Sequence, residues 1–100
     1  FWDWNLETGL VAVNDIVRAE FGARTARYSR MSDWFALIDP AHRAAFLAAS
    51  RDCLDGRVDM FNRTARWQID DGWVWIRTQG QVTERDAQGR ALRMMGVHLN

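Results

Sequence analysis

The sequence predicts a small α+β domain in which helices cover one face of an antiparallel sheet, and three observations carry that expectation. The hydrophobic period changes from helical to alternating after Gly56. The turn sequences Asp70-Asp71-Gly72 and Asp86-Ala87-Gln88-Gly89 join the alternating segments. A chain of 100 residues is long enough to close one core and too short for two.

Taken in order, Phe1 to Asn5 and Leu10 to Val13 are short β-prone stretches separated by Glu7-Thr8-Gly9, and they read as a hairpin. Asn14 fits the N-cap of a short helix, and Gly22 stands where a helix-ending left-handed residue belongs. Between them Ile16, Val17 and Phe21 give that helix an apolar side. Ala23 to Met31 is polar and Arg-rich and is expected to be a loop. Ser32 then fits the cap of a short helical turn carrying Trp34, Phe35, Leu37 and Ile38.

The strongest helix signal follows. Asp39 is a good N-cap, and Pro40 takes the first helical position, where a missing N–H costs nothing. Gly56 is the stop signal, so residues 40–55 should form the longest helix. Phe46, Leu47, Ser50, Cys53 and Leu54 fall on one face of it. Residues 58–69, 73–84 and 91–99 then read as three longer strands.

Composition excludes several function classes. With 48% hydrophobic and 26% charged residues the chain resembles ordinary globular domains. The 13 basic and 13 acidic residues cancel, so charge gives no support to nucleic-acid or anionic-membrane binding. All 13 basic residues are Arg, which reads as codon bias in the source genome. No apolar run approaches the roughly 18 residues of a membrane span, and no signal peptide is visible. Cys53 stands alone and cannot form an internal disulfide. The opening FWDW, without an initiator Met, suggests a single domain taken from a longer multidomain protein. The six tryptophans, each able to bury on the order of 150–250 Å², are enough to supply much of a small core.

Four segments, in order, resemble a PAS domain with its C-terminal PAC segment: WDWNLETG near the start, LIDPAHR before the long helix, the DDGWVWIRTQGQVTERDAQG hairpin, and LRMMGVHLN at the end. The closest flavour is a subgroup of bacterial signalling proteins with a W-x-W-D-like opening, an H-P-D-D-R-like helix start and a terminal D-I-T. The sequence departs from that pattern at Asp39 and at Ala41-His42, which replace a His and paired acids. A residue is missing between Gly72 and Trp75, and Asn100 stands at the aspartate of D-I-T.

The resemblance spans residues 1–100 and implies a five-stranded sheet in the order 2-1-5-4-3. It implies a cytoplasmic, non-catalytic sensory and dimerisation module whose partners are a second copy and an adjacent effector domain. In this subgroup the effector is often a GGDEF diguanylate cyclase, which makes cyclic di-GMP, and sometimes a histidine kinase.

Each chemistry-bearing residue also has a plain structural reading. His42 lies in the first helical turn, whereas a haem ligand must project from mid-helix into the cavity. Cys53 sits on the apolar helical face as a core residue, and the N-C-R-like motif of the light-sensing flavin branch is absent. The pattern therefore argues against haem and flavin and leaves the ligand unidentified, with a small organic metabolite the best fit. Two histidines and one cysteine, widely spaced, make no metal signature. Asp70 and Asp71 belong to a turn, and Arg24, Arg27 and Arg30 to a solvated loop. No phosphate loop or nucleophile elbow is present, so no catalytic residue is assigned.

Alternation places Met94, Gly96 and His98 on one face of the last strand and Met95, Val97 and Leu99 on the other. In flavin-binding PAS domains a glutamine two residues after the corresponding glycine points into the pocket, and this implies an inward His98. Such a histidine either satisfies an acceptor in the core or touches a small ligand or water cluster. On the preceding strand Val74, Ile76, Thr78, Gly80 and Val82 suit the covered core. Trp73, Trp75, Arg77, Gln79 and Gln81 share the opposite face.

Two sites are therefore expected. Phe46, Ser50, Val74, Ile76, Thr78, Met94 and His98 should converge on a mostly apolar ligand cavity. Trp73, Trp75, Val97 and Leu99 should form an outer face that a second copy or flanking segments cover, with core burial of both tryptophans the competing reading. A purely structural PAS module that binds nothing is the alternative function. A small α+β-cone enzyme is disfavoured, because the inward positions are apolar apart from Thr78 and His98.

Overall fold

The computed structural model describes residues 1–99. Strands β1 (Trp2–Asn5) and β2 (Val11–Val13) are followed by helices α1 (Asp15–Phe21), α2 (Met31–Phe35) and α3 (Pro40–Leu54). Strands β3 (Phe61–Ile69), β4 (Gly72–Arg85) and β5 (Ala91–Leu99) complete the chain. All strand pairs are antiparallel, in the order β2-β1-β5-β4-β3. The first strand thus lies beside the last.

The caps follow from residue chemistry. The Asn14 side chain accepts from the Val17 N–H at 3.2 Å, and Gly22 ends α1 at φ +89°. Asp39 accepts from the Ala41 N–H at 3.0 Å, with Pro40 opening α3. Gly56, at φ +79°, follows the end of that helix. Each arrangement satisfies backbone groups that a helix end leaves unpaired.

Four local expectations are corrected. Residues 23–27 form a 3-10 turn wound around the fully buried Thr25, whose hydroxyl donates to the Gly22 carbonyl at 2.9 Å. The Arg18 guanidinium also grips the Thr25 and Tyr28 carbonyls at 2.6 and 3.2 Å. Helix α2 begins one residue before Ser32, and Asp33 reaches back to accept from the Arg30 N–H at 3.1 Å. Leu47 turns to solvent while Phe46, Ser50 and Cys53 are buried. Strand β3 starts at Phe61, leaving Val58 and Met60 exposed.

The edge strand β3 is closed off by the segment leading into α3. The Arg66 carbonyl accepts from Asp39 N–H at 2.8 Å, and Gln68 N–H donates to the Leu37 carbonyl at 2.8 Å. The Arg66 N–H donates to Nδ1 of His42 at 3.1 Å. The Asp39 carboxylate accepts from Arg66 Nε and Nη2 at 2.9 and 2.5 Å. The hydrogen bond from Ala41, followed by that from Arg66, holds the Asp39 carboxyl below its ordinary range. His42 is thus a structural cap on an edge that would otherwise be open to another strand.

Candidate functional site

The site is built on one row of residues running across the sheet. Trp2 pairs with Gly96, Gly96 with Gly80, and Gly80 with Phe61. A side chain at either glycine would meet the Trp2 ring, since a Cβ at Gly80 or Gly96 would lie 2.5 Å from it. The missing side chains leave a trough in the inner sheet face, and the Trp2 indole lies in it. Trp4, two residues on along β1, shares that face.

Helix α3 brings Phe46 and Ser50, one turn apart, over the trough. Trp34 of α2 and Trp67 of β3 add two further indoles. Edge-to-face contacts fix the aromatic wall: Trp4 with Phe35 at 5.8 Å, Phe46 with Phe61 at 4.9 Å, and Phe46 with Trp67 at 5.7 Å. These groups enclose a cavity of about 30 Å³, completed by Thr78, Met94 and His98. At roughly 10–15 Å³ per water on this measure, that is room for about two waters or a ligand of a few heavy atoms.

His98 faces inward. Its Nδ1 lies 2.9 Å from the Thr78 hydroxyl, and its ring packs at 5.3 Å from Trp67 and 5.8 Å from Phe21. Burial pushes its pKa down to about 4, so the ring is neutral near pH 7. Among the described residues, no charged side chain lines the cavity. The indole N–H groups of Trp2, Trp4, Trp34 and Trp67 are buried without a hydrogen-bond partner among the described residues. Each such donor costs on the order of 1–3 kcal/mol when left unpaired.

Residues 10–98 match the PAS fold family. The chain belongs to that family. A sensory box histidine kinase/response regulator from Burkholderia thailandensis has a structure similar to this PAS domain, with a TM-score of 0.82 at 26% identity. The similarity covers 98% of this chain and 72% of that one. The N-terminal domain of a diguanylate cyclase with PAS/PAC sensor from Marinobacter aquaeolei gives a TM-score of 0.83 at 22% identity, covering 99% and 91% of the two chains. At that identity the likeness is one of fold. A search of curated proteins finds no match.

Five of the residues expected at the PAS cavity do meet there: Phe46, Ser50, Thr78, Met94 and His98. Val74 and Ile76 do not line it. The last described β4–β5 pair is Arg77 with Leu99, so Val74 and Ile76 are flanked by β3 alone, toward the hairpin end. Ile76 is fully buried there and Val74 half-buried, both as packing residues. The tryptophans of the wall escape a reading by strand alternation because they come from β1, α2 and β3. The i, i+2 spacing of Trp2 and Trp4 was the available signal.

The outer sheet face is occupied as alternation predicts. Trp73 and Trp75 are 46% and 56% exposed, which rules out their burial in this domain's own core. Val97 and Leu99 of β5 are exposed on the same sheet. Arg66 lies over both indoles, 5.1 Å from Trp73 and 6.0 Å from Trp75, and the His42 ring packs against Trp75 at 5.3 Å. Arg24, Arg27 and Arg30 are exposed. Among the described residues no three His, Cys, Asp or Glu side chains cluster as metal ligands would, and no helix is long and apolar enough to cross a membrane.

Proposed function

We propose that this PAS domain is the sensory and dimerisation module of a longer bacterial signalling protein, and that it regulates a C-terminal GGDEF diguanylate cyclase. One observation supports the reading above all: β5 borders both sites. Its inner face carries Met94 and His98 at the cavity, and its outer face exposes Val97 and Leu99 beside Trp75. A shift of β5 on ligand binding therefore reaches the outer face through one strand. A second copy on that face covers the exposed indoles and sets the spacing of two effectors. For a diguanylate cyclase that spacing matters, because two active sites must meet to join two GTP molecules.

A histidine kinase effector is the second reading, supported by the 26% identity to the Burkholderia sensory box protein. A PAC segment at the C-terminal end, a cytoplasmic setting and a parent of several domains belong to the same proposal. The test is made in the full-length protein with Trp73 and Trp75 changed to Ser. Loss of dimer affinity together with altered cyclase output supports the reading. Unchanged sedimentation and unchanged output in a folded variant remove the outer face from signalling.

A further inference from the structure

We propose that the cavity takes a small uncharged molecule that accepts hydrogen bonds without donating them, a short ketone or aldehyde, through the indole N–H groups of its wall. The inference rests on the sensory reading above and supplies the chemistry of what is sensed. Its basis is an imbalance. Trp2, Trp4, Trp34 and Trp67 all line the cavity, and the indole N–H of each is buried with no partner among the described residues. Buried donors without acceptors are rare in folded proteins, and a group of them around one void marks a place where something else supplies the acceptor. An indole donates and cannot accept, so these four groups recognise acceptors only.

Charge and size narrow the class. No charged side chain among the described residues lines the cavity, so a carboxylate would enter without a counter-ion and lose its hydration. The neutral His98 ring supplies no positive charge either. A carbonyl oxygen has two lone pairs and takes two N–H donors at once, without bringing a donor of its own. Water also accepts, but each molecule brings two O–H donors to a wall whose polar acceptors are few. The alkyl groups of a small ketone suit the aromatic faces of Phe46 and Trp67, and about 30 Å³ limits the ligand to a few heavy atoms unless the walls move.

The experiment follows the six indole N–H resonances of the 15N-labelled protein during titration with acetone, acetate and xenon. Acetone is expected to shift the signals of at least two wall tryptophans saturably, while the exposed Trp73 and Trp75 stay in place as internal references. Acetate should bind weaker by about tenfold or more, for want of a counter-ion. Trp4→Phe and Trp34→Phe each keep a ring and remove one N–H, and at least one of them should weaken acetone binding by roughly three- to tenfold. Persistence of the remaining dispersed indole signals shows that each variant is folded.

Acetate binding as tightly as acetone overturns the proposal, as does acetone moving no wall signal. Xenon shifting the wall signals where acetone does not makes the cavity a purely apolar one, which also overturns it. None of these results alters the sedimentation and cyclase assay, so failure of the ligand chemistry is distinguishable from failure of the sensory reading.

Discussion

The Trp2 indole occupies the space that a side chain at Gly96 would need. A Cβ at Gly96 would lie 2.5 Å from Cζ2 of Trp2 and 1.9 Å from the backbone oxygen of Gln79. The first strand and the last are thereby locked together through a residue with no side chain, and the same contact shapes the cavity floor. Gly96→Ala is expected to destabilise the domain by about 1–3 kcal/mol, as overpacking does when the obstructing atom is backbone and cannot swing aside. Chemical denaturation of the variant measures this, and an unchanged midpoint would show that Trp2 does not sit over the glycine.

His98 makes the stability of the domain depend on pH. Its folded pKa of about 4 lies below the ordinary 6.5, because burial disfavours the charged ring. As pH falls from about 6.5 the unfolded chain takes up this proton before the folded one, so stability declines until about pH 4 and this contribution is then exhausted. The full span corresponds to on the order of 3 kcal/mol. Denaturation midpoints measured across that range should fall with pH in the native protein, and the His98→Gln variant should lose most of the slope.

The Asp39 carboxylate acts in a lower window. Its pKa is depressed by the Ala41 N–H and then by Arg66, so its stabilising effect is full above the ordinary carboxylate pKa and is lost as pH falls through the folded value. Asp39→Asn keeps an acceptor for the Ala41 N–H and removes the ionic partner of Arg66. Acid titration followed by circular dichroism should show the variant already weakened at neutral pH and less sensitive to further acidification.

The order of elements was legible because α3 and the three long strands are strongly periodic and are punctuated by Gly56, Gly72 and Gly89. The 3-10 turn was not, since what stabilises it is Arg18, seven and ten residues away, holding two carbonyls. The arginine-only composition likewise has a structural side. Arg18, Arg43 and Arg85 each bind two or more backbone carbonyls, a forked geometry that the point charge of lysine reproduces poorly. In the candidate site, alternation correctly turned Thr78, Met94 and His98 inward but could not show where β5 stops covering β4. That boundary is what leaves Val74 and Ile76 away from the cavity.

Ser50 offers a way to fill the cavity from α3. It is buried on the wall, one turn from Phe46, and the void beside it is about 30 Å³. Ser50→Val adds apolar volume there, and cavity filling commonly contributes about 0.5–2 kcal/mol. The melting temperature should rise by several degrees, at roughly 4–8 °C per kcal/mol for a domain of this size. The same variant should lose the acetone-dependent indole shifts. A lower melting temperature would mean that the hydroxyl is needed where it stands.

The outer face should separate stability from coupling. Trp73 and Trp75 are about half exposed, and their main contacts on this face are the Arg66 guanidinium and the His42 ring. Exposed cation–π contacts are worth roughly 0.5–1 kcal/mol, and a surface side chain that buries little apolar area in the monomer loses little on truncation. Trp73→Ser with Trp75→Ser is therefore expected to lower the stability of the isolated domain by no more than about 2 kcal/mol. Its cavity chemistry should be intact, with acetone still shifting the wall indoles. Dimer affinity in the full-length protein should fall, because there the two rings are covered by the partner copy. A large loss of stability in the isolated domain would instead assign these indoles to the fold, and the outer face would lose its claim to transmit the signal.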